Sequence, residues 1–189
     1  MLKTLFTSSL LVASGLASAA PENYAVDPAH TVVTFEILHG NMSTHRGHFD
    51  AKEGTVVLDR EARTGKVDVT IDTTSISTGV PALDGHLKGK DFFNAAEFPT
   101  AKFTGDKLAF DGNKLSSVSG TLTMLGKTLP VTLTATSFNC YESPQLKREV
   151  CGGDFETTIA RSQWGVSYGL TYGIPDNVRL LIQVEAVKQ

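Results

Sequence analysis

Apolar and polar residues alternate with a period of two along most of the chain after Thr31. Val33, Phe35 and Ile37 interleave with Thr34 and Glu36, and Val67, Val69 and Ile71 with Asp68, Thr70 and Asp72. Val131, Leu133 and Ala135 interleave with Thr132, Thr134 and Thr136, and Val178, Leu180, Ile182, Val184 and Ala186 mark out one face near the end of the chain. A period of two places each set on one side of a half-buried strand, and threonine on the polar positions suits β structure. Eight strands are predicted, near 31–38, 46–58, 66–73, 101–110, 115–125, 128–138, 153–161 and 178–187. Turn chemistry falls between them at Arg63-Thr64-Gly65, Asp111-Gly112-Asn113, Gly126-Lys127 and Pro175-Asp176-Asn177. One stretch departs from the pattern. Pro81 followed by Leu83 and Leu87 at i and i+4 predicts a short helix over 81–88, ended by Gly89, before Glu97-Phe98-Pro99 returns the chain to extended geometry. The fold class is therefore all-β, a sandwich or a closed barrel. Eight strands is the number at which a barrel interior just holds one small ligand.

The N-terminus changes the setting. Lys3 supplies a positive start, Leu5–Leu16 is uncharged and mostly apolar, and Ala17-Ser18-Ala19 is an A-x-A cleavage pattern. Together they read as a secretory signal over 1–19, which leaves 20–189 as a single exported domain. The apolar run is shorter than the ~20 residues a membrane helix needs, so no integral membrane segment is expected in the mature form. Two cysteines, Cys140 and Cys151, are expected to form a disulfide in an oxidising compartment, pinning a charged loop over 141–150 at its base. With 17 basic and 20 acidic residues and no block of like charge, neither a nucleic-acid stripe nor a polybasic membrane patch is present. The partner classes left are a small molecule or another protein.

Several short motifs, in order, run through the mature chain: Tyr24-x-x-Asp27-Pro28-x-His30-Thr31, Arg46-Gly47-x-Phe49, Ser75-Ile76-x-Thr78-Gly79, Asp84-x-His86-Leu87, Asp91-Phe92-Phe93-Asn94, Phe98-Pro99-x-Ala101-x-Phe103, Gly120-x-Leu122-Thr123 and Ile159-x-Arg161-Ser162 with Trp164-Gly165. Their order and spacing resemble the YceI-like family of exported bacterial proteins. The resemblance implies an extended eight-stranded antiparallel lipocalin-like barrel, a long apolar tunnel for a polyisoprenoid or related amphipathic lipid, periplasmic location and no catalytic group. Homodimers occur in families of this kind, so the resemblance admits a homodimer here. The Cys140–Cys151 segment departs from the simplest family pattern and bears on the shape of one barrel mouth.

A tunnel for a lipid tail needs inward apolar side chains and few polar ones, because an unpaired buried polar group costs roughly 2–7 kcal/mol. Alternation nominates Phe35, Ile37, Phe49, Phe103, Leu122, Met124, Leu133, Phe155 and Ile182 as lining residues, with Leu87, Phe92 and Phe93 as a lid or wall and Trp164 added from the motif it shares. Ten Phe against one Trp leaves room for a tunnel rather than a plugged core. The polar run His39–His48 is expected at a barrel end. There His39 and above all Arg46, whose planar fork suits phosphate oxygens, would meet a head group. The bland reading of the same run is a solvated loop. His45-x-x-His48 is not a helical zinc signature, and no metal or cofactor is expected. Neither a G-x-S-x-G elbow nor a Gly-rich phosphate loop occurs; Asp84 with His86 reads as a loop brace and Arg161 as the partner of an acid across the rim. The function indicated is non-catalytic binding, transport or storage of an isoprenoid or quinone-like lipid. Two other readings stand beside it: a filled-core, stress-related β-protein acting through protein contacts, and a metal-using enzyme built on His39–His48.

Overall fold

A computed structural model describes residues 20–112 and 114–189. The secretory segment expected over 1–19 lies outside the described residues. The elements are β1 (Glu22–Val26), β2 (Val32–His39), β3 (Ser43–Asp59), β4 (Thr64–Asp72), α1 (Pro81–Leu87), β5 (Thr100–Asp111), β6 (Lys114–Met124), β7 (Lys127–Ser143), β8 (Arg148–Ala160) and β9 (Asn177–Lys188). Every pairing is antiparallel, and the ladder β3-β2-β9-β8-β7-β6-β5-β4 closes when β4 returns to β3. The result is a closed eight-stave barrel with one short helix.

Nine strands make eight staves because the first stave is broken. β1 pairs with β3 at Glu22↔Leu58 to Ala25↔Thr55 and with β9 at Tyr24↔Lys188 to Val26↔Ala186. β2 lies between the same two strands further along, from Val32↔Asp50 and Val32↔Gln183. A 3₁₀ turn at Pro28–His30 separates the halves, where Asp27 accepts the Ala29 N–H at 2.9 Å and faces His30 Nδ1 at 2.7 Å. β1 was not among the eight predicted strands: only Tyr24 and Val26 show alternation before Pro28 interrupts it.

The staves are long. β3 and β7 each run 17 residues, a contour of roughly 55 Å at ~3.3 Å per residue. One strict alternation does not persist along the whole of such a stave. Bulges reset it, between Ala51 and Glu53 in β3, Gly105 and Lys107 in β5, and Ala135 and Ser137 in β7. Inward residues are odd-numbered on one side of each bulge (Phe49, Phe103, Leu133) and even-numbered on the other (Leu58, Leu108, Phe138). Outward positions carry Thr, Ser, Lys and Glu, the reverse of the lipid-facing band of a membrane-spanning barrel. No helix among the described residues is long and apolar enough to cross a membrane.

The β1 end is shut by a polar lock. The buried Tyr24 hydroxyl lies 2.6 Å from Glu149 Oε1 and 2.8 Å from Glu22 Oε2; Arg60 Nη2 donates to both Glu149 oxygens, and Lys188 Nζ donates to Glu22. The disulfide lies at this end too, but not at the base of a loop. β7 and β8 run through it, so that Cys140 and Cys151 are direct cross-strand partners 4.0 Å apart at Cα, and only Pro144–Lys147 forms the turn. The charges over 141–150 suggested a loop, but Glu142, Arg148 and Glu149 stand on the paired strands, and Val150 and Ser143 among them are buried.

Replacing both Cys140 and Cys151 with Ser is expected to lower unfolding free energy by about 3 kcal/mol, the entropy of an eleven-residue closure. Urea unfolding measures it, and no loss would mean that the arm's ladder holds register unaided. The lock has a pH signature. The hydrogen bond from Lys188, then that from Tyr24, hold Glu22 below the usual carboxylate range against its partial burial. A carboxylate depressed in the folded state stabilises fully above its unfolded value, roughly pH 4.3, and loses that contribution as pH falls through the folded value. Glu22→Gln should therefore flatten the loss of stability on acidification below that pH; a urea-midpoint profile as steep as that of the unaltered protein contradicts the lock.

Candidate functional site: an apolar cavity with a histidine and aromatic mouth

A cavity of about 400 Å³ runs inside the barrel from Tyr24 at the locked end to the end that carries the β2–β3 turn, α1 and the β8–β9 connection. Of the expected lining residues, Phe35, Ile37, His39, Phe49, Leu87, Phe92, Phe93, Phe103, Leu122, Met124, Leu133, Phe155 and Ile182 all face it. They converge from β2, β3, β5, β6, β7, β8, β9 and the α1 segment, which only closure of the sheet brings together. Phe35, Phe49 and Phe93 form an aromatic chain across the cavity wall, with ring centroids 5.8 Å and 5.0 Å apart. Among the described residues no buried side-chain nitrogen or oxygen lacks a hydrogen-bond partner, so the wall offers a tail no unsatisfied polar group.

Two expected site residues are elsewhere. Arg46 points outward, where Nε donates to Glu36 Oε1 at 2.7 Å. Glu36 in turn accepts from Arg179, which also reaches Glu156, making a charge ladder across the outer face of four staves. The reason is register. β2 extends to His39 and β3 begins at Ser43, so the run His39–His48 is mostly strand, only Gly40–Met42 turns, and alternation sends Arg46 and His48 out while His39 and His45 point in. Trp164 is 2 % exposed and packs in the barrel core near the β6–β7 turn, its Nε1 donating to the Leu122 carbonyl at 3.1 Å; it plugs the wall behind the cavity rather than lining it.

The mouth contains groups that alternation alone did not assemble. The imidazoles of His39 and His45 stack at 4.5 Å with 11° between planes. His86, Phe92 and Tyr168 form an edge-on trio with centroids 5.0–5.2 Å apart. Asp84 braces the loop as expected, accepting the Thr78 N–H and O–H at 2.7 and 2.6 Å, which hold its carboxyl below the usual range; His86 is not its partner but belongs to the mouth. Arg161 is buried and makes no direct ion pair; Asp176 lies near enough to act on it electrostatically but accepts instead from the Ser162 N–H and O–H. Nε donates to the Pro175 carbonyl, Nη1 to those of Val166 and Tyr168, and Nη2 to that of Ile174. One guanidinium thus folds the whole β8–β9 connection against the cavity. The signal for it was present in Ile159-x-Arg161-Ser162, but its carbonyl partners lie in a segment without a period. Cys140, Glu149 and Cys151 are the His, Cys, Asp and Glu side chains that converge as metal ligands would among the described residues, and both sulfurs are in the disulfide.

The fold and the site define the class: a closed, polar-coated antiparallel barrel around an apolar cavity. The chain belongs to the YceI-like family, whose domain description matches residues 24–186. It is 34% identical to Protein YceI of Escherichia coli O157:H7 over 183 residues, 96% of this chain and 94% of that one. Among solved structures it is similar to Burkholderia cenocepacia BcnA, with a TM-score of 0.67 and 27% identity over 85% of this chain and 98% of that one. A Campylobacter jejuni YceI protein gives 0.68 and 28% over 80% and 90%. A polyisoprenoid binding domain from Saccharophagus degradans, implicated in plant cell wall breakdown, shares the fold with a TM-score of 0.60 at 15% identity, covering 88% of this chain and 98% of that one.

The wall is tight where Phe35 crosses Gly47. These two are cross-strand partners, and a Cβ on Gly47 would lie 2.5 Å from Phe35 Cζ and 2.8 Å from the Ser77 carbonyl oxygen. Gly47→Ala should therefore cost about 1–3 kcal/mol in urea unfolding, as overpacked cores do. An unchanged stability would show that the Phe35 ring does not rest on the glycine.

Proposed function

We propose that the protein is a non-catalytic carrier for a long-chain isoprenoid or quinone-like amphipathic lipid, with the tail inside the barrel and the head among His39, His45 and His86. The observation that carries this reading is the cavity of about 400 Å³ walled by apolar side chains. A tail there gains ~25 cal/mol per Å² of apolar surface removed from water without any specific polar contact. A filled core acting through protein contacts leaves the cavity unexplained. The stacked imidazoles and the Tyr168 hydroxyl offer donors and acceptors to a carbonyl or hydroxyl head, while the nearest arginine, Arg161, already donates to four carbonyls. Membership of the YceI-like family and a shared fold with a polyisoprenoid binding domain support the ligand class. The signal pattern over 1–19 supports action in the periplasm.

Organic extraction of protein purified from its native compartment, followed by mass spectrometry, should release a near-stoichiometric isoprenoid or quinone. Val131→Trp fills the cavity from β7 without introducing a buried charge. It should remove most of the bound lipid while leaving the melting temperature unchanged or raised. A folded Val131→Trp protein with undiminished lipid would refute the cavity as the binding site.

A further inference from the structure

Large apolar side chains are exposed at one end of the barrel far more than elsewhere. Met42 and Tyr172 are 82 % and 83 % exposed, and Val80, Tyr168 and Leu38 are exposed as well. They come from the β2–β3 turn, the entry to α1, and the β8–β9 connection, three connections that meet around the cavity mouth. Leu38 and Tyr168 line the cavity and face solvent at once, so the patch is the outer lip of the cavity and not a separate surface. The connections at the opposite end differ in chemistry. The β3–β4 turn is Arg60-Glu61-Ala62-Arg63 and the β7–β8 turn is followed by Arg148 and Glu149, so the exposed Tyr141 and Leu146 there sit among charges. At the mouth, by contrast, residues 40–44 and 162–175 contain no Asp, Glu, Lys or Arg, and the exposed charges of the α1 connection, Lys88, Lys90, Asp91 and Glu97, balance in sign.

We infer that this lip is a docking surface for the face of a lipid bilayer, against which the mouth seats so that a tail passes between leaflet and cavity without crossing water. The inference rests on the lipid-carrier reading above and adds where loading occurs. A surface without a patch of one charge sign, bearing tyrosines, whose apolar rings and polar hydroxyls suit the headgroup boundary, together with methionine, leucine and valine, complements a zwitterionic membrane. An anionic one would call for a basic patch. Association is driven by apolar area and is insensitive to salt. Contiguous exposed apolar surface of this kind marks an interaction site, and the cavity behind it specifies the partner: a surface made of the same chains the cavity holds.

The test is flotation of the full mature protein with phosphatidylcholine–phosphatidylethanolamine vesicles at low and high salt, for the unaltered protein and for Met42→Asp with Tyr172→Asp, neither of which lines the cavity. The unaltered protein should float equally at both salt concentrations, and the double variant should bind about tenfold more weakly or worse. The variant should also take up fluorescent polyprenol from vesicles more slowly, while reaching the same final content when loaded from cyclodextrin. Failure of the unaltered protein to float, or equal flotation of the variant, overturns the inference. So does a dimer in sedimentation that the substitutions convert to monomer, because the lip would then be covered by a second copy. Vesicle binding with an empty organic extract would instead leave docking intact and reject the carrier reading.

Discussion

The ladder that returns β4 to β3 is the feature on which the other properties of this protein depend. Every backbone donor and acceptor in a stave needs a neighbour, and an open edge would leave a row of them to water or to another chain. Closing the ring satisfies both edges and encloses a volume that no single strand specifies. The closure is completed by the broken first stave: β2 fills the gap between β3 and β9 along one half, and β1 fills it along the other. β1 thereby covers the β3 and β9 edges beside Leu58 and Ala186 at the locked end.

Given closure, three devices shape the interior. The bulges in β3, β5 and β7 move the apolar phase from odd to even positions, so that a barrel longer than an ordinary strand keeps one continuous apolar lining. The Tyr24, Glu22, Glu149, Arg60 and Lys188 lock ends that lining with groups that satisfy one another. Arg161 folds the β8–β9 connection over the other end, and its four carbonyl acceptors, with the field of nearby Asp176, allow a charge to sit against an apolar cavity. The molecule therefore has one closed pole held by ion pairs and one open pole rimmed by aromatic and imidazole groups.

The mouth is where the strand register matters most. His39 and His45 enter the cavity, and Arg46 leaves it, because one residue of shift along β3 exchanges faces. The same register stacks the two imidazoles and sets Phe35 over Gly47, so head-group chemistry and cavity width are decided by the same pairing. A small set of aromatic and imidazole contacts, rather than a charged pocket, meets whatever emerges from the barrel.

Alternation determined the β class, the staves around Val33–Ile37, Val67–Ile71 and Val178–Ala186 and most of the cavity lining, because burial on one face of a strand is a local, period-two constraint, and the i, i+4 leucines after Pro81 likewise marked the short helix. It did not reveal β1, whose few apolar positions precede a proline, or the continuation of β7 and β8 through Cys140 and Cys151, whose charged neighbours imitate a loop. Nor did it place Arg46 outside, put Trp164 behind the wall, or join His86 to Tyr168. Those outcomes follow from which strands become neighbours, in what register and with which bulges. These relations cross between strands and connections, some as far apart in sequence as Tyr24 and Glu149, and only the closed tertiary structure sets them.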